Sequence, residues 1–120
     1  MRILVFNYEY PPLGGGGGVA TENLAVELAG DHEVVVVTSG GMGLPNTETR
    51  DGVSIHRLPT LGRQDQNITS MSAMANYVSR AATWGVSIAR NFEADVIHTW
   101  FALPTGPASA RVARQIIHII

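Results

Sequence analysis

The apolar positions of this chain fall into two kinds of run. Ile3-Leu4-Val5-Phe6 and Val34-Val35-Val36-Val37 are continuous, with no polar residue at alternate positions. That is the pattern of parallel strands buried on both faces. Between them Ala20, Leu24 and Leu28 recur at helical spacing, and Met71, Met74, Val78, Ala81, Gly85, Ile88 and Phe92 recur at steps of three and four. The pattern predicts a first strand over 2–6, a helix over 19–29 with Glu22 in its first turns and Gly30 as its C-terminal cap, and a second strand over 33–38. These three form a βαβ unit with a right-handed crossover.

Residues 39–50 are rich in Gly, Asn, Pro and Thr and read as loop. Asp51-Gly52 is a turn signal, and Val53-Ser54-Ile55-His56-Arg57-Leu58 alternates, as a half-exposed edge strand does. A polar connection over 61–67 leads to the long helix, whose methionines and Trp84 are expected to pack in the core or an interface. A fourth strand over 95–100, a loop over 101–107, an alanine-rich helix over 108–115 and a fifth strand over 116–120 complete the pattern. The last apolar run meets no turn signal and no closing helix, so the domain reads as interrupted. The expected fold is α/β, a Rossmann-like doubly wound parallel sheet of order 3-2-1-4-5.

Composition narrows this little further. At 120 residues with 45% hydrophobic and 15% charged content, the chain is one folded domain at most. Its net charge of -2, with dispersed basic residues, gives no electrostatic footprint for nucleic acid. Cysteine is absent, which excludes disulfides and thiolate metal sites. The opening apolar run breaks at Asn7, too soon for a signal peptide or a membrane span. The default location is the cytoplasm, and peripheral membrane contact is compatible with these features. No internal repeat is present.

Candidate chemistry centres on Gly14-Gly15-Gly16-Gly17-Gly18, between the first strand and the first helix. A loop without Cβ atoms admits close approach of a ligand, and a helix starting beyond it offers free N–H groups and a positive dipole end to a phosphate. A flexible linker is the plain alternative, and the strand–loop–helix context argues against it. A dinucleotide fingerprint fits Gly15, Gly17 and Ala20 cheaply, but the second strand ends in Thr38-Ser39-Gly40-Gly41 with no acid for a ribose. No Gly-Lys-Ser/Thr follows the glycines, and no G-x-S-x-G occurs. His32, His56, His98 and His118 lack metal spacing, and only His98 falls near the expected ligand edge, where a ligand role and a structural role are equally open.

Met1-Arg2-Ile3-Leu4-Val5-Phe6, Tyr10-Pro11-Pro12 and the glycines together resemble the opening of the family 4 glycosyltransferases, which are retaining, nucleotide-sugar-dependent enzymes of the GT-B fold. The Asp51-Gly52-Val53 turn into His56-Arg57-Leu58-Pro59, and Asp95-Val96-Ile97-His98, follow in the family's order. The resemblance implies that residues 1–120 are part of an N-terminal Rossmann-like domain whose cleft faces a second such half. It implies donor-diphosphate contacts at Gly16, Gly17 and Gly18, and acceptor contacts at Tyr8, Glu9, Tyr10, His98 and Trp100. Trp100 stands where the family often has a second histidine, and stacking on a sugar ring is one role for it. The nucleotide sugar is a substrate, no cofactor or metal is implied, and no catalytic residue is assigned. A family histidine beyond the fifth strand and the glutamate pair of the C-terminal half fall outside these residues. The chain alone is therefore expected to be inactive, needing a C-terminal nucleotide-sugar-binding domain or a second chain to transfer sugar to a glycan, lipid or other acceptor. The alternatives are a non-enzymatic module of Rossmann-like fold that dimerises or binds a partner and, at lower weight, a nicotinamide-dependent domain.

Overall fold

The computed structural model describes residues 1–13, 15–41, 43–59, 71–100 and 110–114. Its elements run β1 (Arg2–Phe6), α1 (Gly16–Leu28), β2 (Glu33–Ser39), β3 (Thr47–Arg50), β4 (Val53–Leu58), α2 (Met71–Phe92) and β5 (Val96–Thr99). The sheet order is β3-β4-β2-β1-β5. β1 pairs in parallel with β2 and β5, β2 pairs in parallel with β4, and only β3 is antiparallel. The expected order 3-2-1-4 holds for the first four predicted strands, which are β1, β2, β4 and β5. The predicted fifth strand over 116–120, the polar connection over 61–67 and the loop over 101–107 lie outside the described residues. Residues 110–114 of the predicted last helix are helical.

Strand β3 corrects the expected loop over 39–50. The turn Asp51-Gly52 has both residues at positive φ, 53° and 81°, as a two-residue type I′ hairpin requires. It folds Thr47–Arg50 back onto β4, with Arg50 opposite Val53. β4 is therefore an inner strand, not an edge. Its alternation has a different cause: Val53 and Ile55 are buried while Ser54 and His56 are only partly covered.

The alternating faces of the inner strands bury two cores. Leu4, Phe6, Val35 and Val37 meet Tyr77, Ala81 and Ala89 of α2. Ile3, Val5, Val34, Val36, Val53 and Ile55 meet Ala25 of α1, and Tyr10 packs among them. Gly85 lets α2 approach the sheet, since a Cβ there would stand 3.1 Å from the Phe6 ring and 3.0 Å from Val112. Tyr77 is fully buried and donates its hydroxyl to the Val37 carbonyl at 3.0 Å. Of the two expected settings for Trp84, core or interface, the core is excluded: it is 45% exposed, with the Arg80 guanidinium 5.3 Å from its ring centroid. No helix of the described residues is long and apolar enough to cross a membrane.

Candidate functional site

The order of strand addition reverses at β1: the path from β1 runs outward to β2 and β4, and β5 then adds, in parallel, to the other side of β1. In open parallel sheets such a switch point leaves a crevice at the carboxyl ends of the strands. Phe6 and Thr99 end the two flanking strands, and the N–H of Trp100 donates to the Phe6 carbonyl at 2.9 Å, fixing the β5 exit against the β1 exit.

The β1 exit is organised by Asn7, a residue the sequence pattern shows only as the end of an apolar run. It is fully buried. Its N–H extends the sheet pairing to the Val37 carbonyl at 3.2 Å. Its Nδ2 donates to Thr21 Oγ1 at 2.5 Å and to the Gly17 carbonyl at 3.4 Å, while its Oδ1 accepts the Glu9 N–H at 3.0 Å. Thr21 Oγ1 in turn donates to the Gly17 carbonyl at 2.8 Å. A buried amide with its polar atoms satisfied holds one geometry. Here it ties strand exit, connector and first helical turn together.

Next along the chain, the Tyr8 carbonyl accepts from Thr38 Oγ1 at 3.1 Å, from Ser39 Oγ at 2.7 Å and from the Ser39 N–H at 3.4 Å. The hydroxyls that stand where a dinucleotide site carries its acid are thus spent anchoring the connector. Beside them Gly40 donates to the Leu58 carbonyl at 2.7 Å, and a Cβ on Gly40 would lie 2.9 Å from that oxygen, so the β2 exit admits only glycine there without a shift. The connector then turns through Tyr10-Pro11-Pro12-Leu13, with a cis Pro11–Pro12 peptide and the Leu13 N–H on the Tyr10 carbonyl at 2.9 Å.

Gly16, Gly17 and Gly18 are not loop but the first turn of α1, which starts three residues earlier than the apolar spacing predicts. Gly15 is the N-cap and gives no side-chain cap. Its carbonyl accepts the N–H groups of Gly18 at 3.1 Å and Val19 at 3.2 Å, while its own N–H meets Glu9 Oε2 at 3.3 Å. The N–H groups of Gly16 and Gly17 have no partner among the described residues, as expected for the first positions of a helix. They are what the turn offers to a ligand, at the positive end of a 13-residue helix. Gly18 differs from them: it is buried, and a Cβ there would stand 3.3 Å from the Glu9 and Tyr10 backbone. The earlier start also moves Glu22 beyond the first turn, where it pairs with Arg50 at 3.2 Å. Ala29, not Gly30, is the C-cap.

The five residues expected to contact an acceptor separate into two groups. Tyr8 and Tyr10 have buried side chains. The Tyr8 ring stands edge-on to Tyr77 at 5.3 Å. The Tyr10 hydroxyl has its pKa pushed up to about 12, mainly by burial. Both rings serve the core. Glu9 and Trp100 are half-buried and His98 is exposed. The His98 and Trp100 rings lie 5.7 Å apart at the end of β5. The Trp100 Nε1 is buried and has no hydrogen-bond partner among the described residues.

Two grooves of comparable size lie elsewhere. One, of about 460 Å³, is at the opposite edge of the sheet around Arg2, His32, Glu33 and Asp95. The other, of about 420 Å³, runs between α2 and β4 beside His56, Trp84 and Ile88; burial lowers the pKa of His56. Neither holds the unpaired helix amides, so topology and hydrogen bonding, rather than volume, locate the candidate site. Among the described residues no group of three or more His, Asp or Glu is arranged to hold a metal ion.

Comparison with known proteins bears on the family and the fold. A family model described as a glycosyl transferase 4-like domain matches residues 15–119. Among solved structures, the sucrose-phosphate synthase of Thermosynechococcus elongatus is similar to this chain with a TM-score of 0.72 at 14% identity, over 95% of this chain and 30% of that one. The chain thus spans about a third of the length of that protein, and at this identity the likeness concerns the fold. No curated protein sequence matches.

Proposed function

The chain belongs to the glycosyl transferase 4-like domain family, with a Rossmann-like fold of the GT-B kind, and we propose that it forms part of the acceptor-side half of a retaining, nucleotide-sugar-dependent glycosyltransferase. One observation carries this reading. The start of α1, with the Gly16 and Gly17 N–H groups unpaired, follows the β1 exit directly at the switch point of the sheet.

When a sugar leaves a nucleoside diphosphate, negative charge builds on the diphosphate. Preorganised N–H groups and a helix dipole stabilise that charge without reorganising at the moment of reaction. Asn7, Thr21 and the Gly17 carbonyl hold the first turn in place before any ligand arrives. Loss of one such donor costs about 10²–10³ in rate in well-studied cases. Trp100 and His98, together with Glu9, form the polar and aromatic surface offered to a glycan or lipid acceptor. The nucleotide and the donor sugar are held mainly by the opposing half of the cleft, in a second domain or chain, and this half alone does not turn over.

The test uses the polypeptide that carries this domain with its complete second half. Incubated with a panel of nucleoside diphosphate sugars, it is expected to release a nucleoside diphosphate and give a product with the donor's anomeric configuration, read by proton NMR. Inversion, or no release with any donor in the presence of glycan and lipid acceptors, contradicts the proposal.

A further inference from the structure

We infer that Arg50 and Arg57 are positioning residues for the N-terminus of the glycine helix, acting through the carbonyl of Pro11. The inference rests on the reading that this helix start receives the donor diphosphate. Arg50 Nη2 donates to the Pro11 oxygen at 2.9 Å and Arg57 Nη2 donates to it at 3.5 Å. Proline has no N–H, so this oxygen is the residue's one backbone hydrogen-bonding group. Two guanidinium groups converge on it from different strands.

Each arginine is itself held. Arg57 has a side chain only 1% exposed, with Nη2 on Glu48 Oε1 at 3.2 Å and Nη1 on the Pro45 carbonyl at 3.2 Å. Arg50 joins Glu22 of α1 at 3.2 Å and Glu48 at 3.7 Å. Two cations and two carboxylates alternate, so the network is neutral and leaves no charge for an external anion. Its product is geometric: the Pro11 turn is fixed between α1 and the β3–β4 hairpin. The connector backbone at Glu9 and Tyr10 runs past the Cβ-less face of Gly18, where an added Cβ would stand 3.3 Å from it. Movement of the turn therefore reaches the first turn of α1, and with it the Gly16 and Gly17 amides.

Arg50→Met is the informative change, because the Arg50 side chain is 40% exposed and tolerates loss better than Arg57. Amide NMR spectra of the 120-residue chain without ligand are expected to show shifts at Leu13 and Gly15 to Val19, outside the β3–β4 hairpin. Titration with inorganic pyrophosphate is expected to show affinity weakened on the order of tenfold, by misplacement of donors that remain present. Arg50→Lys, which keeps the charge and one donor, recovers part of that loss. Glu22→Gln, which frees Arg50 from α1, is the second variant if Arg50→Met fails to fold, and its expected shifts fall on the same residues. Shifts confined to residues 47–58, with unchanged pyrophosphate affinity, overturn the inference. If the unaltered chain does not bind pyrophosphate but the variants still move residues 15–19, positioning of the helix start stands and the diphosphate reading falls.

Discussion

Replacing Arg57 with alanine lowers the unfolding free energy by about 2–5 kcal/mol, the range for truncating a long, packed side chain; Glu48, 28% exposed and still facing Arg50, is not left as a buried charge. Burial decides the size. The Arg57 side chain is 1% exposed and reaches Glu48 and two proline carbonyls. Its removal leaves acceptors without their donor and a void where a long side chain stood. Glu48, held below the usual carboxylate range by its bond to Arg57, loses that support. Arg2 provides the contrast. It pairs with Glu33 at 2.9 Å, but the two side chains are 45% and 67% exposed, and solvent-screened pairs of this kind contribute little. Urea unfolding of the two alanine variants, compared at equal m-value, separates these cases. Arg57→Met is expected to fall between wild type and Arg57→Ala, because its stem refills part of the volume but donates nothing. A loss for Arg57→Ala as small as that for Arg2→Ala would contradict the role assigned to the network.

Gly18→Val is expected to weaken pyrophosphate binding by more than about tenfold, by displacing the donors rather than deleting them. The added Cβ meets the backbone of Glu9 and Tyr10 at 3.3 Å. That backbone is poorly able to yield, since Asn7 holds the Glu9 N–H and three donors hold the Tyr8 carbonyl. Helix propensity favours valine over glycine by a few tenths of a kcal/mol. Overpacking costs about 1–3 kcal/mol and wins. Gly30→Ala, beyond the far end of α1, is the control, because its Cβ reaches only the Glu27 carbonyl, at an ordinary 3.4 Å, and leaves the helix start untouched. Isothermal titration of the three proteins with pyrophosphate gives the comparison. Equal affinity for Gly18→Val and wild type would remove the link between connector and helix start.

The apolar runs made most of the architecture legible. Strands buried on both faces show up as unbroken valine, isoleucine and leucine, and the helix over Met71–Phe92 declares itself by its three-and-four spacing. The failures have physical causes. Thr47–Arg50 has no apolar residue, so nothing in its hydropathy marks a strand. Its signal was the two-residue Asp51-Gly52 turn, which demands a partner strand on both sides. Glycine has a poor helix propensity, so a helix beginning at Gly16 runs against local preference; it forms where Asn7 and Thr21 hold the Gly17 carbonyl. The glycines, His98 and Trp100 were legible as candidates from their place in the chain. That Tyr8 and Tyr10 turn inward was not, because the connector's path is set by hydrogen bonds from β2 and by arginines from the hairpin. Asn7 and Arg57 are single polar residues beside apolar runs, and only the fold shows what they hold.

The central claim is that the start of α1 is an anion site built for a diphosphate. Amide NMR of the isotopically labelled chain, titrated with inorganic pyrophosphate at constant ionic strength, tests it most directly. The account predicts saturable shifts that are largest at the Gly16 and Gly17 amides, with smaller ones at Gly15 and at Glu9, whose carboxylate faces the Gly15 N–H. Shifts centred on Arg2 and His32 at the opposite edge of the sheet, or none at Gly16 and Gly17 at saturating pyrophosphate, would contradict it.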